Sequence, residues 1–241
     1  MNCLRNYSAR RRPAIVFFFG PNGAGKSIQM DLLIHALRER KIRVCKSWVA
    51  SHHLFVWILG SLLAKLGYPK DHWTRVNPDL TPFADFSFLV KNMGKSSRLL
   101  LIVLETANLV VADLFKVRIP RLMGYWVVIE KYIPITIADM NLIYGREVLD
   151  SMIVRFLLRL IPKDAYGVFL QADYETLLER RGEKTEPRKY LEIQNAMGKW
   201  YAAYYQCVVI DTSKMDAKRT HELVMNYLNL SQVKTVPDRR F

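Results

Sequence analysis

Cysteine is scarce in this chain: three residues, Cys3, Cys45 and Cys207, among 241. The number is odd, no two stand in a CxxC spacing, and no histidine lies near them in a metal-ligand pattern. A disulfide scaffold and a structural metal are thereby excluded, and a reducing compartment is expected. Apolar runs long enough to cross a membrane are also missing. Leu54 to Ala64 is short and stops at Lys65, and Leu99 to Phe115 contains Glu105, Asn108 and Asp113. A spanning helix needs about 20 apolar residues, and a carboxylate at mid-span is costly, so both runs are expected to be core helices. The opening MNCLRNYSARRRP is basic, with no apolar stretch before Ala14 and so without the core of a secretory signal. The expectation is a cytoplasmic protein with no membrane partner.

Acidic residues are few beside basic ones, 22 Asp and Glu against 36 Lys and Arg, for a net charge of +14. Such a surplus suits anionic partners (nucleotides, nucleic acid, an acidic membrane surface) or is simply a solvated basic surface. Much of it is terminal. ARRRP near the start and KTVPDRR near the end read as tails, residues 1–12 and 231–241, so charge alone argues weakly for a nucleic-acid site. With 51% hydrophobic and 24% charged residues the chain has a globular composition, and residues 13–230 are expected to form one domain.

What the sequence does contain is an alternation of buried strands and amphipathic helices. AIVFFFG, Ala14 to Gly20, is β-branched and aromatic, without alternation, and is ended by Gly and Pro. KSIQMDLLIHALRERK then sets Met30, Leu33, Ile34 and Leu37 on one helical face. Further strands are read at IRVCKSWVA, YWVVIEKY, AYGVFLQA and CVVID, with helices from Leu99 to Val117, from near Ile135, from Val148 to Leu160, across YETLLERR to YAAYY with a break at Gly182 to Pro187, and from Asp216 to Leu228. The segment Lys70 to Arg98, rich in turn residues and aromatics, reads as a substrate-side insertion or a loose helical stretch. Strands alternating with helices predict an α/β fold with a parallel sheet covered on both faces.

Gly20, Pro21, Asn22, Gly23, Ala24, Gly25, Lys26 and Ser27 fit GxxxxGK[ST] between a buried strand and an amphipathic helix, the context a phosphate-binding loop requires. Glycines let successive N–H groups turn onto phosphate oxygens, and the positive end of the helix adds to the field. Lys26 would reach the β- and γ-phosphates, and the Ser27 hydroxyl would hold Mg²⁺. ATP with Mg²⁺ is the expected ligand pair. Glu130, at the end of WVVI, is the candidate second metal ligand, and Lys131 beside it could neutralise a phosphate; the bland reading of both is a solvated strand end. Arg180, Arg181, Lys184, Arg188 and Lys189 surround the helix break. They suit a mobile lid over residues 180–190 that brings cations to a transferring phosphoryl group, or a charged turn in which Glu179, Glu183 and Glu186 pair with them.

With the loop, the strand ending IEKY and the broken basic helix in that order, the chain resembles the thymidylate kinase family of nucleoside monophosphate kinases. FFFGPNGAGKSIQMDLL is similar to that family's strand, P-loop and first helix, RIPRLMGYWVVIEKY to its DR[YH] strand, LQADYETLLERRGEK to its lid, and CVVIDTSK to its last strand. The resemblance implies a three-layer P-loop NTPase fold with a five-stranded parallel sheet. It also implies transfer of the γ-phosphoryl group of ATP, with Mg²⁺, to a pyrimidine deoxynucleotide such as dTMP. On it ATP is expected on Gly23 to Ser27, lid arginines at Arg180, Arg181 or Arg188, and an acceptor phosphate near Lys131. The family's P-loop Asp is Asn22 here, its Thr after the Ser is Ile28, and its DR pair is Glu130 and Lys131; lysine lacks arginine's planar two-pronged grip.

Other candidates are less specific. Glu105 and Asn108, three apart, share a helical face and could read an amide or hydroxyl of the acceptor, or merely form a polar groove. His52 and His53 lie near a strand end, where a structural or exposed role is favoured over a catalytic one. Trp48, Trp57, Trp73, Phe83 and Phe86 could stack a base or fill the core. Dimers are common in the family, and the runs Leu54 to Ala64 and Leu99 to Phe115 could hold a dimer face or core. Against a kinase stands a nucleotide-binding switch without transfer, and a third reading keeps the kinase with a different phosphorylated acceptor.

Overall fold

The computed structural model describes residues 13–49 and 94–230. The helix expected at Leu54 to Ala64, most of the segment Lys70 to Arg98, both tails, and His52, His53, Trp57, Trp73, Phe83 and Phe86 lie outside the described residues.

Five strands form one sheet: β1 Ile15–Phe19, β2 Val44–Trp48, β3 Trp126–Glu130, β4 Tyr166–Gln171 and β5 Val208–Asp211. Their order across the sheet is β2-β3-β1-β4-β5, every pair parallel. All five lie within the strand segments read from the sequence. The apolar run of β1 marks the centre of the sheet, because a strand covered on both faces has no polar side to show. Val16 and Phe18 enter one core layer and Ile15, Phe17 and Phe19 the other, as the period of two demands.

Helices cover both faces. α1 Lys26–Glu39 and α8 Ala217–Tyr227 pack Met30, Leu33, Leu37 and Val224 against the first layer. The Gln29 amide donates to the Ala217 carbonyl at 2.8 Å and ties the two helices together. On the other face lie α2 Lys95–Asp113, α4 Ile133–Tyr144, α5 Met152–Leu160 and part of α7 Arg188–Tyr204. α6 Tyr174–Arg181 follows β4, capped at its start by Asp173. A short 3₁₀ turn, Gly182–Lys184, then leads to α7, which is the helix break read at Gly182 to Pro187.

The long helix departs from expectation in two ways. It begins at Lys95, inside the segment read as loose, and it does not end at Val117: a π-helical turn, Leu114–Arg118, carries it into α3, Ile119–Leu122. Pro120 lacks an N–H, and its ring would clash with the carbonyl four residues back in a regular α-turn; the wider turn just before it relieves that crowding. The helix is also not a core helix throughout. Glu105, Leu109, Asp113 and Val117, spaced by four, are buried, while Leu99, Leu100, Val103, Val111 and Phe115 are exposed, so one stripe joins the core layer and much of the opposite side is exposed. Among the described residues, no helix is long and apolar enough to cross a membrane.

Two further boundaries shift. α4 starts at Ile133 rather than near Ile135, since Pro134 fits the first turn of a helix, where its missing N–H has no partner to lose. The segment from Val148 begins as a 3₁₀ turn, Arg146–Asp150, and becomes α5 only after Ser151, whose hydroxyl accepts from the Val154 N–H.

Candidate active site

The loop between β1 and α1 sits at the carboxyl end of the central strand, where ligands bind in open α/β sheets. Its conformation requires glycine. At Gly20, with φ +130°, a Cβ would fall 2.0 Å from the Leu170 carbonyl oxygen. Gly25 caps α1 in the left-handed region, φ 90°, a conformation that turns the first N–H groups of the helix toward the space above the loop.

Lys26 is buried at 4% exposure, and its ammonium donates to the Gly20 and Pro21 carbonyls at 2.9 and 2.7 Å. Burial pushes this ammonium down to about 7, helped by the positive charge of Lys131 and opposed by Glu130 and Glu186. A nearby polyanion would restore the charged form. Lys26 and Lys131 therefore lie within one electrostatic field, although 105 positions separate them in the sequence.

β3 brings the second set of groups. Phe18 of β1 is in register with Glu130, and the Lys131 N–H donates to the Phe18 carbonyl at 3.3 Å. This places the Glu130 carboxylate on the loop, where Oε1 accepts from the Ser27 hydroxyl at 3.0 Å. Two hard oxygen donors thus meet beside the phosphate loop. Mg²⁺ binds through one or two protein oxygens, completing its shell with water and phosphate, so this pair fits it. Lys131 has φ 54°, a left-handed conformation uncommon for a residue with a side chain, and such strain concentrates at functional sites.

Behind Lys131 lies a buried polar cluster. The Tyr190 hydroxyl donates to Asp139 Oδ1 at 3.3 Å and accepts from the Gln194 amide at 2.7 Å. Burial pushes the Asp139 carboxyl up to about 7, against the field of Lys131 and the hydrogen bond from Tyr190. Glu105, on α2, is also raised to about 7 by burial, with Asp139 adding to the effect. The Tyr144 hydroxyl neighbours the Glu105 carboxyl, yet neither completes a hydrogen bond. Asn108, expected to share this face, is half-buried. Tyr132 serves packing: its ring is buried 5.5 Å from that of Phe17, and its hydroxyl donates to Asp113 Oδ1 at 2.5 Å.

The cations of the basic cluster separate into three environments. Arg181 crosses the loop so closely that a Cβ on Gly23 would lie 2.8 Å from Arg181 Cδ, and its guanidinium pairs with Glu186. Arg180 donates to the carbonyls of Gly23 and Thr212 at 3.2 and 2.6 Å, so it fastens the loop to the segment after β5. Arg188 pairs instead with Glu175 and Glu192, over the ring of Tyr174, and is not brought to the loop. The pairing of Arg181 with Glu186 is the kind expected of a charged turn, and Arg181 also lies over the loop, whereas Arg188 meets acids outside the interleaved set.

Sequence reasoning left several of these groups unassigned. Asp139 was detectable as a lone carboxylate inside the apolar IPITIADM, but Tyr190, Gln194 and Thr212 carry no local signal. Trp48 is 40% exposed at the end of β2, outside the core.

No known family profile matches the sequence, and no curated protein matches it. Solved structures do match. A thymidylate kinase from Candida albicans is 15% identical with a TM-score of 0.58, over 90% of this chain and 92% of that one. A thymidylate kinase from Ehrlichia chaffeensis is 18% identical with a TM-score of 0.50, over 90% of this chain and 98% of that one. At such identity the likeness is one of fold. Together with the sheet order and the loop after β1, it defines the class: the chain has the P-loop NTPase fold, in an arrangement similar to that of thymidylate kinases.

Proposed function

We propose that this chain is an ATP-dependent, Mg²⁺-requiring phosphotransferase of the nucleoside monophosphate kinase type, a divergent thymidylate kinase-like enzyme for which a dTMP-like pyrimidine nucleotide is the favoured acceptor. The observation that carries the reading is the meeting of Lys26, Ser27 and Glu130 at one end of β1 and β3. A single loop, or a decayed one, would not need a carboxylate from another strand on its serine. The acceptor rests on likeness of fold and motif, and fold alone does not fix a substrate.

The backbone of Gly20, Asn22, Gly23, Ala24 and Gly25 wraps the donor phosphates, and Lys26 supplies the charge between them. Ser27 and Glu130 would hold Mg²⁺, and bound ATP would supply the phosphoryl group while the cation supplies positive charge beside it. Lys131 takes the acceptor phosphate, and Arg181, already over the loop, meets the transferring group, with Arg180 holding the loop in place; Arg188 would join only after the lid rearranges. Catalysis is by positioning and charge stabilisation. An acceptor that already carries negative charge hardly needs a general base, and the site offers no His–Asp pair among the described residues. The cytoplasm, nucleotide biosynthesis and a homodimer belong to the same proposal, and neither nucleic acid nor a membrane is needed by it.

The test is release of ADP from ATP and Mg²⁺ in the presence of dTMP, dUMP, UMP, CMP, AMP or GMP, with Lys26→Ala as control. Stimulation by one acceptor, lost in the variant, would establish the activity. ATP binding without stimulation by any of them would turn the reading toward a nucleotide switch or a non-nucleotide acceptor.

A further inference from the structure

Glu186 was noted in the sequence only as one of the acids interleaved with the lid cations. In the fold it is the point where lid and loop meet. Its side chain is 13% exposed. Oε1 accepts from the Asn22 side-chain amide at 2.7 Å, and Oε2 accepts from Arg181 Nη1. One carboxylate therefore joins a residue of the phosphate loop to a lid arginine, across 164 positions of sequence for the first contact.

Three neighbouring contacts support the same seat. The stem of Arg181 and the side chain of Leu177 both lie over Gly23, where a side chain would collide with them. Arg180, one residue earlier, holds the Gly23 carbonyl. The Thr185 hydroxyl donates to the Leu177 carbonyl at 3.2 Å, fastening the turn that carries Glu186 back to α6. Charge makes the partnership specific. Asn22 presents an N–H to the carboxylate, whereas an aspartate there would face it with a second negative charge.

Resting on the function proposed above, we propose that Glu186 is a positioning residue: seated on Asn22, it fixes the Arg181 guanidinium beside the phosphate loop, so that the lid arginine is already in place when the phosphoryl group is transferred. Orienting such a cation in advance saves reorganisation at the moment of reaction. Arg181 has five N–H donors and gives Nη1 to Glu186; its remaining donors serve the transferring group.

Four proteins test this: the wild type, Asn22→Asp, Glu186→Ala and the exchange Asn22→Asp with Glu186→Gln, which puts the amide on 186 and the carboxylate on 22. The first readout is tryptic cleavage between Arg180 and Thr185 in the nucleotide-free protein, followed by intact mass, with melting temperatures measured alongside. Asn22→Asp and Glu186→Ala should each be cleaved at least about fivefold faster, and the exchange should return to within about twofold of the wild type. Equal rates in all four, or an exchange variant no slower than Asn22→Asp, would overturn the proposal.

The second readout is transfer. Glu186→Ala should lower kcat about tenfold or more while KM for ATP moves less than about threefold. A change confined to KM, or a melting temperature that falls in parallel with kcat, would mean structural support only. Binding of a fluorescent ATP analogue, with Lys26→Ala as control, separates the two proposals: a wild type that binds no nucleotide defeats the proposed function, while the cleavage pattern still decides the seat of Glu186.

Discussion

The Ser27 hydroxyl donates to Glu130 Oε1 at 3.0 Å, joining the first turn of α1 to the last residue of β3. Each side chain alone has an ordinary explanation, a hydroxyl at a helix start and an acid at a strand end. Facing one another beside the phosphate loop, they are the pair proposed above to hold the cation. Glu130→Gln keeps the shape and removes the charge. It is expected to raise the Mg²⁺ concentration for half-maximal activity about tenfold or more, with little change in melting temperature. A titration of activity against Mg²⁺ checks this, and an unchanged midpoint would take Glu130 out of the site.

Lys26→Ala removes a cation confined by burial and by two carbonyls. Transfer should fall at least about tenfold, since the charge on the transferring oxygens would lose its main partner in the loop. The initial rate of ADP release at saturating ATP measures the effect, and an undiminished rate would remove Lys26 from the mechanism.

Glu105 provides a pH prediction. Its folded value, about 7, lies above the ordinary 4.5 because burial disfavours the charged form. Between those values the folded state holds a proton that the unfolded state has released, so stability falls as pH rises through this window and levels off above it. The cost at pH 8 is on the order of 3 kcal/mol by linkage. Glu105→Gln should therefore stabilise the protein at pH 8 and have little effect near pH 4.5. Urea unfolding at both pH values tests the sign; a stability difference independent of pH would contradict it.

Gly20→Ala should fail by geometry. The added carbon meets the Leu170 carbonyl oxygen at 2.0 Å, on backbone with φ +130°. A loss of about 3 kcal/mol or more is expected, read as a fall in melting temperature or as loss of soluble protein. Gly25→Ala, at φ 90° but with no atom within 4 Å of the added carbon, should cost less.

The strands and the phosphate loop were legible because their signals are local. AIVFFFG is apolar on both alternating faces, as a central strand must be, and GPNGAGKS has its glycines where the backbone turns left-handed. Glu130 was legible as the acid ending such a strand. The lid was harder. Arg180, Arg181 and Arg188 look alike in sequence, and only the fold sends one to Thr212, one to the loop and one to Glu175. Glu186 was hidden among interleaved charges, because its partner Asn22 is distant in sequence. The continuation of the long helix past Val117 was missed since Pro120 reads as a stop, and nothing local announces the wider turn that admits it.

That turn, Leu114–Arg118, has an effect at the other end of the molecule's chemistry. On a regular α-helix residues five apart point in different directions, yet Arg118 Nε reaches Asp113 Oδ2 at 2.6 Å, because the looser winding swings it round by most of one residue's rotation. The same aspartate receives the Tyr132 hydroxyl, and Tyr132 directly follows the left-handed Lys131. Removing one residue from the π-turn would rewind the helix and turn the arginine away. A buried carboxylate would be left to a phenol alone, loosening the footing of the strand end that presents Glu130 and Lys131. An irregularity on the helix face thus acts as a spacer gauge for the strand end that carries Glu130 and Lys131.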